Sequence, residues 1–208
     1  MTRARTWLVL LVGYGLILVA VWTEGRTQLI WDAAAAAWIA AAVITEGRPL
    51  RELGLGIGGL VPALRTVAIA LLAVGIIVLA GWDGGTLRPL YGSRPPGIHS
   101  FGYAIWALMQ QVILNSFFYR GFERLLGNNR KAVAMTCLLF AGAHVPNPFL
   151  VPATLVGGWF FVEMFRRYRN LYPIAVAHAM LGIAIAMAVP DAIVHHMRVG
   201  IGYLHFYR

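Results

Sequence analysis

Residues 107–121 read Ala107-Leu108-Met109-Gln110-Gln111-Val112-Ile113-Leu114-Asn115-Ser116-Phe117-Phe118-Tyr119-Arg120-Gly121. The stretch is apolar enough for a membrane, yet it holds four polar side chains, Gln110, Gln111, Asn115 and Ser116. The basic turn that carries Arg120 and Arg124 follows directly. Amides and hydroxyls in hydrocarbon are costly, and those that occur usually face a bundle interior. Two later apolar stretches each carry one histidine, His144 after Leu138-Leu139-Phe140-Ala141-Gly142-Ala143 and His178 after Ile174-Ala175-Val176-Ala177. This pattern predicts an all-α, polytopic membrane helix bundle with a polar site in its interior.

Composition agrees. Of 208 residues, 60% are hydrophobic and 12% charged, against roughly 25% charged in soluble domains. Seventeen basic residues stand against eight acidic ones, a net charge of +9. Lysines and arginines gather at the ends of apolar segments, as the positive-inside rule and anionic headgroups require. No soluble domain interleaves basic and aromatic residues, so nucleic acid is excluded as a partner. Cys137 is the one cysteine, in an apolar helix, and reads as a buried inert thiol.

Crossing a bilayer takes about 20 apolar residues. The segments are expected at residues 6–22, 29–44, 66–82, 101–118, 132–144, 149–165 and 173–189. The first has no small-residue cleavage site after it and reads as a retained helix rather than a signal peptide. The second carries Asp32 and is short. One set of connections holds Arg3, Arg5, Arg48, Arg51, Arg65, Arg120, Arg124, Arg130, Lys131, Arg166, Arg167 and Arg169. The other holds Arg26, Arg88, Arg94, Arg198 and Arg208. The richer set is expected on the cytoplasmic side of the cell membrane, with the N-terminus inside and the C-terminus outside after seven crossings. Residues 1–100 read as N-terminal helices and loops, 101–190 as the core that carries the polar site, and 191–208 as a tail. The glycine-rich residues 54–59 are expected to be a flexible linker into an interfacial helix, and residues 81–98 an exposed loop.

Gly127-Asn128-Asn129-Arg130 is good turn chemistry between the fourth and fifth segments. Asn115 and His144 are nearly equidistant from that turn, so an antiparallel hairpin should set them at equal depth, face to face. The geometry predicts hydrogen-bond reach from His144 to Asn115 or Gln111, directly or through one water. His178 lies five residues past Pro173 and is expected to be shallower. Gln111 and Asn115 are i, i+4 neighbours, with Ser116 and Arg120 on the adjoining stripe. Interhelical hydrogen bonding alone explains a single such residue; the set of them together with two histidines favours a cavity. Glu123 with Arg120, and Glu163 with Arg166 and Arg167, read as helix-end ion pairs, Glu163 also being an outside candidate for proton transfer. His195, His196 and His205 lie on the tail; a His-His pair is able to bind metal, but an exposed pair with no nearby carboxylate or cysteine is weak evidence for a metal site. The sequence identifies no metal and no cofactor.

Three short motifs in order resemble the CPBP family of intramembrane endopeptidases, the CAAX protease and bacteriocin-processing or Abi family. The first, Glu-Glu-x-x-x-Arg followed by Gly, corresponds here to Asn115-Ser116-Phe117-Phe118-Tyr119-Arg120-Gly121. The second, Phe-x-x-x-His, is met by Phe140 and His144. The third, His-x-x-x-Asn, is met by His178, with Gly182 at its fourth position. The resemblance spans residues 101–189 and implies hydrolysis of peptide bonds in membrane-associated substrates, with His144, His178, Asn115 and Ser116 at the catalytic positions. Gln111, Arg120 and Phe140 would support them. The implied partner is a membrane-embedded or lipid-modified protein. An Asn amide has no pKa near neutrality and cannot take a proton from water, so both family carboxylates are missing. Three readings follow: protease chemistry altered to use a histidine base, a pseudoprotease that binds without cutting, and a serine nucleophile at Ser116.

Overall fold

The computed structural model describes residues 1–89 and 97–205. It is an all-helical bundle, with no strand among the described residues. The long helices are α1 (Arg3–Val21), α2 (Gly25–Thr45), α3 (Leu60–Asp83), α4 (Gly97–Gln111), α5 (Arg120–Leu126), α6 (Arg130–Gly142), α7 (Leu150–Tyr168) and α8 (Tyr172–Ala188). Between α4 and α5 the helix runs on as a π segment, Val112–Tyr119. Short helices α9 (Asp191–Val194) and α10 (Gly200–Leu204) close the described chain.

Each expected apolar segment coincides with a helix. By length and hydropathy, α1, α2 and α3 are able to cross a bilayer, and α8 with the bent segment after it makes a fourth. α2 meets the test despite Asp32. At 13 residues, α6 spans only about 20 Å and depends on its neighbours to shield its ends.

Both ends of the bundle are tied by contacts distant in sequence. At one end Arg124 binds Glu46 at 2.7 Å, Arg120 binds Glu52 at 3.0 Å, and Arg169 pairs with Glu123. At the other, the Arg88 guanidinium meets Asp191 at 3.1 Å, the Thr86 hydroxyl donates to the Ala188 carbonyl, and the Gly200 amide to that of Val145. The richer basic set therefore gathers at one end. Arg94 and Arg208 lie outside the described residues, as does part of the expected loop over 81–98.

In lipid, helices associate through close packing rather than hydrophobic gain, so small residues mark the contacts. A Cβ on Gly81 of α3 would come within 2.7 Å of the Ala188 Cβ on α8. The core gathers Leu114, Phe117, Phe118, Tyr119 and Phe122 against Val133, Cys137, Phe161 and Phe165. Cys137 is buried with no disulfide.

Residues 54–59 are not the flexible linker that their glycines suggest. Gly54 and Gly59 have φ of 79° and 72°, and a Cβ on Gly59 would lie 2.3 Å from the Tyr168 carbonyl oxygen. Glycine is required here for a left-handed turn and a close approach, which makes the segment specific rather than loose. It is pinned from outside: the Leu171 amide donates to Gly54, and the Asn170 amide to the Gly56 and Gly58 carbonyls. No separate interfacial helix follows, because α3 begins at Leu60 and is continuous.

Candidate functional site

The turn between α5 and α6 forms as its residues dictate. Gly127 takes φ of 85°, and the Asn129 side chain caps α6 by accepting from the Lys131 and Ala132 amides. From this hairpin α6 delivers Phe140, and His144 follows just past its end. α8, entered through Pro173 in its first turn, delivers His178. A cavity of about 1130 Å³ is lined by both histidines, Phe140 and Phe161, by Tyr103, Trp106 and Gln110 of α4, and by aliphatic residues of α3 and α8. Its lining runs from buried Ala70 to exposed Val156, so the cavity is not sealed.

Phe140 ties the two histidines together. Its ring meets His144 edge-on at 4.8 Å and His178 at 6.2 Å between centroids, while Phe161 lies 5.2 Å from the His178 ring. The expected Asn115–His144 pairing is absent. Instead, the Asn115 Nδ2 donates to Gln111 Oε1 at 2.8 Å, and Gln111 Nε2 meets His178 Nδ1 at 2.9 Å. His144 Nδ1 turns to the Phe140 carbonyl, at 2.6 Å. The reason is local. The π segment begins right after Gln111, widening the turn and advancing less per residue than an α-helix, so residue counting from the hairpin misplaces Asn115. α6 also stops at Gly142, leaving His144 in a turn where its ring reaches back to its own helix.

These bonds set the tautomers. A carbonyl only accepts, so His144 carries its proton on Nδ1 and keeps a lone pair on Nε2. Gln111 donates to His178 Nδ1, so His178 carries its proton on Nε2. The pair therefore offers one proton acceptor and one donor.

Gln111 and Asn115 are fully buried, and Asn115 Oδ1 has no hydrogen-bond partner among the described residues. Ser116 is also buried, but its hydroxyl donates to the Leu53 carbonyl at 2.7 Å, on the glycine-rich segment. Arg120 lies outside the cavity lining, held by Glu123 at 2.5 Å and by Glu52 at 3.0 Å. Burial pushes the Glu123 carboxyl up, but Arg169 and Arg120 outweigh it and hold it below the ordinary carboxylate range. Glu163 pairs with Arg166 and Arg167, as its spacing predicts.

The tail histidines do have carboxylates beside them. His196 lies 2.6 Å from Asp191, five residues earlier in the chain, and His205 2.6 Å from Glu24, which caps the start of α2 and is remote in sequence. No group of three metal-ligating side chains occurs among the described residues.

Two features escaped the sequence reading. The fourth position after His178, Gly182, is filled from outside: a Cβ there would lie 1.9 Å from the Tyr103 hydroxyl. Residues 197–202 fold back over the cavity rather than trailing away. The spacing of Tyr103, Trp106 and Gln110 at i, i+3 and i+7 was the one available signal for a cavity face on α4.

Residues 98–184 match the family model of the type II CAAX prenyl endopeptidase Rce1-like proteins. The matched stretch contains Asn115, Arg120, Phe140, His144 and His178, in keeping with the CPBP resemblance read from the motifs. Neither a curated protein nor a solved structure matches the chain.

Proposed function

We propose that this chain is a CAAX-endopeptidase-like protein of the cell membrane that binds a prenylated peptide in its cavity without glutamate-dependent hydrolysis of it. The observation that carries this reading is the convergence of His144, His178 and Phe140 on one large, mainly apolar cavity, with an amide and a hydroxyl where the resemblance expects carboxylates. The apolar walls suit a prenyl chain, and the histidines sit where a peptide attached to it would lie. Asn115 spends its amide on Gln111 and Ser116 its hydroxyl on Leu53. Neither arrangement activates a water, and the second weighs against Ser116 as a nucleophile.

A second reading has its own support. The His144 Nε2 lone pair and the His178 Nε2–H form a base and a donor, which general-base hydrolysis would use in place of a glutamate. One experiment separates the two. The protein in lipid nanodiscs is given a farnesylated CAAX-type peptide, and binding and cleavage are both followed. Binding with no cleavage supports the binding role. Robust cleavage that His144→Ala abolishes overturns it in favour of histidine-based hydrolysis. No binding and no cleavage rejects both.

A further inference from the structure

We infer that a second pocket, at the arginine-rich end of the bundle, holds the phosphate of an anionic phospholipid. The pocket, about 430 Å³, lies where three parts of the chain meet. The segment between α2 and α3 gives Arg51, Glu52 and Gly58, α5 gives Arg120, and the end of α7 gives Tyr168 and Arg169. None of these residues lines the cavity of His144 and His178, so the inference stands apart from the prenyl-peptide reading. Arg51 and Gly58 are exposed, which leaves the pocket open to a ligand from outside the bundle.

Charge decides what the pocket takes. Arg48 binds Glu46 at 2.7 Å and Glu52 at 3.0 Å, and Arg124 shares Glu46. Arg120 binds Glu52 and Glu123, and Arg169 shares Glu123. Arg51 stands in the pocket with no ion pair among the described residues. Three glutamates thus face five arginines, two positive charges in excess. Burial, with the charges of Arg48 and Arg169, outweighs Glu123 and holds the Arg120 guanidinium below its ordinary value. An anion relieves that repulsion, and phosphate oxygens match the forked donors of a guanidinium. α3 begins two residues past Gly58, and the positive end of a helix adds to the attraction. The neighbouring surface argues for a lipid over free phosphate. Ile57, next to Gly58 in the chain, is 86% exposed, and Val61 and Leu64 on the first turns of α3 are 77% and 52% exposed. Acyl chains cover such a surface beside their own headgroup, whereas free phosphate has nothing to place there. A zwitterionic headgroup brings a cation of its own toward the arginines, which disfavours it.

The test titrates the full chain, in zwitterionic detergent micelles, with phosphatidylglycerol, phosphatidylcholine or inorganic phosphate. Bound lipid is counted by native mass spectrometry, and the unfolding midpoint is followed in parallel. One phosphatidylglycerol should bind ahead of any phosphatidylcholine. Arg51→Gln, which breaks no ion pair, should weaken phosphatidylglycerol roughly five-fold, the worth of one arginine near an anionic headgroup. Arg51→Lys, which keeps the charge, should lose less. Arg130→Gln removes an exposed arginine at the same end but outside the pocket, and should leave binding unchanged. Equal losses in Arg51→Gln and Arg130→Gln would overturn the inference, because a diffuse field rather than a pocket would then hold the lipid. Equal binding of the two lipids would overturn it as well. Inorganic phosphate raising the midpoint as much as phosphatidylglycerol at the same concentration would assign the pocket to free phosphate and sink the lipid.

Discussion

Gln111 joins residues that the sequence sets apart. It accepts a hydrogen bond from the Asn115 amide and meets His178, so one amide links a buried helix stripe to a ring on another helix. In Gln111→Leu, the Asn115 amide would lose its partner in a fully buried place, at a cost of roughly 1–3 kcal/mol. The His178 tautomer would no longer be dictated. We expect a lower unfolding midpoint and a shift in the ring 15N resonances of His178; an unchanged His178 spectrum would show that the amide does not set the tautomer. Placing acids where the CPBP resemblance expects them meets different obstacles at neighbouring positions. Asn115→Glu keeps a side chain that reaches toward Gln111, and the variant should fold and gain some peptide cleavage. Adding Ser116→Glu forces a carboxylate against the Leu53 carbonyl in a nearly sealed position. The double variant should therefore be the less stable of the two by thermal unfolding, and equal midpoints would refute this placement of residue 116.

At the scale of elements, the glycine-rich segment and the ion pairs do related work: they fasten the connections at one end of the bundle. Gly59→Ala meets both a positive φ and the Tyr168 carbonyl, so it should cost roughly 1–3 kcal/mol. Gly58, with open space where its Cβ would go, is the control, and equal loss at both positions would contradict the account. The ion pairs predict an acid dependence. Glu46 and Glu123 are both pushed up by burial and pulled further down by their arginines, ending below the ordinary value of 4.5. A carboxylate depressed in the folded state stabilises fully above its unfolded value, and that contribution is lost as pH falls through the folded value. Stability should hold above about pH 5 and decline below it, and Glu123→Gln should flatten that decline. An identical acid profile in Glu123→Gln would remove Glu123 from the explanation.

For the whole molecule, two sets of connections lie at opposite ends, and the arginine-rich set shares one of them. The positive-inside rule predicts that this end faces the cytoplasm. Reporter fusions after Arg169 and after His205 should give opposite signals. Equal signals would mean that α8 does not carry the chain across. The cavity opens from the interior of this bundle, and the residues before and after the matched stretch also line it, from Gln28 and Asp32 of α2 to Arg198 and Ile201. Deleting residues 191–208 should thus change peptide binding as well as stability, measurable as a faster off-rate of the farnesylated probe. An unaltered off-rate in a folded truncation would separate the C-terminal segment from the cavity.

Apolar runs of membrane length are a property of consecutive residues, so the helices, their order and the hairpin turn at Asn129 were legible in the sequence alone. So were the pairing of Glu123 with Arg120 and that of Glu163 with Arg166 and Arg167, which depend on helical periodicity, and the position of His144 and His178 in apolar surroundings, where ionisable groups stand out. What the side chains of the site bind was decided by the tertiary structure. A π segment after Gln111 shifted the phase of the helix, giving His178 rather than His144 the amide partner, and this shift cannot be counted from residue numbers. Ser116 found Leu53, and Tyr103 found the space above Gly182, through contacts between segments far apart in the chain. Such contacts depend on how whole helices pack, and local sequence does not encode them one residue at a time.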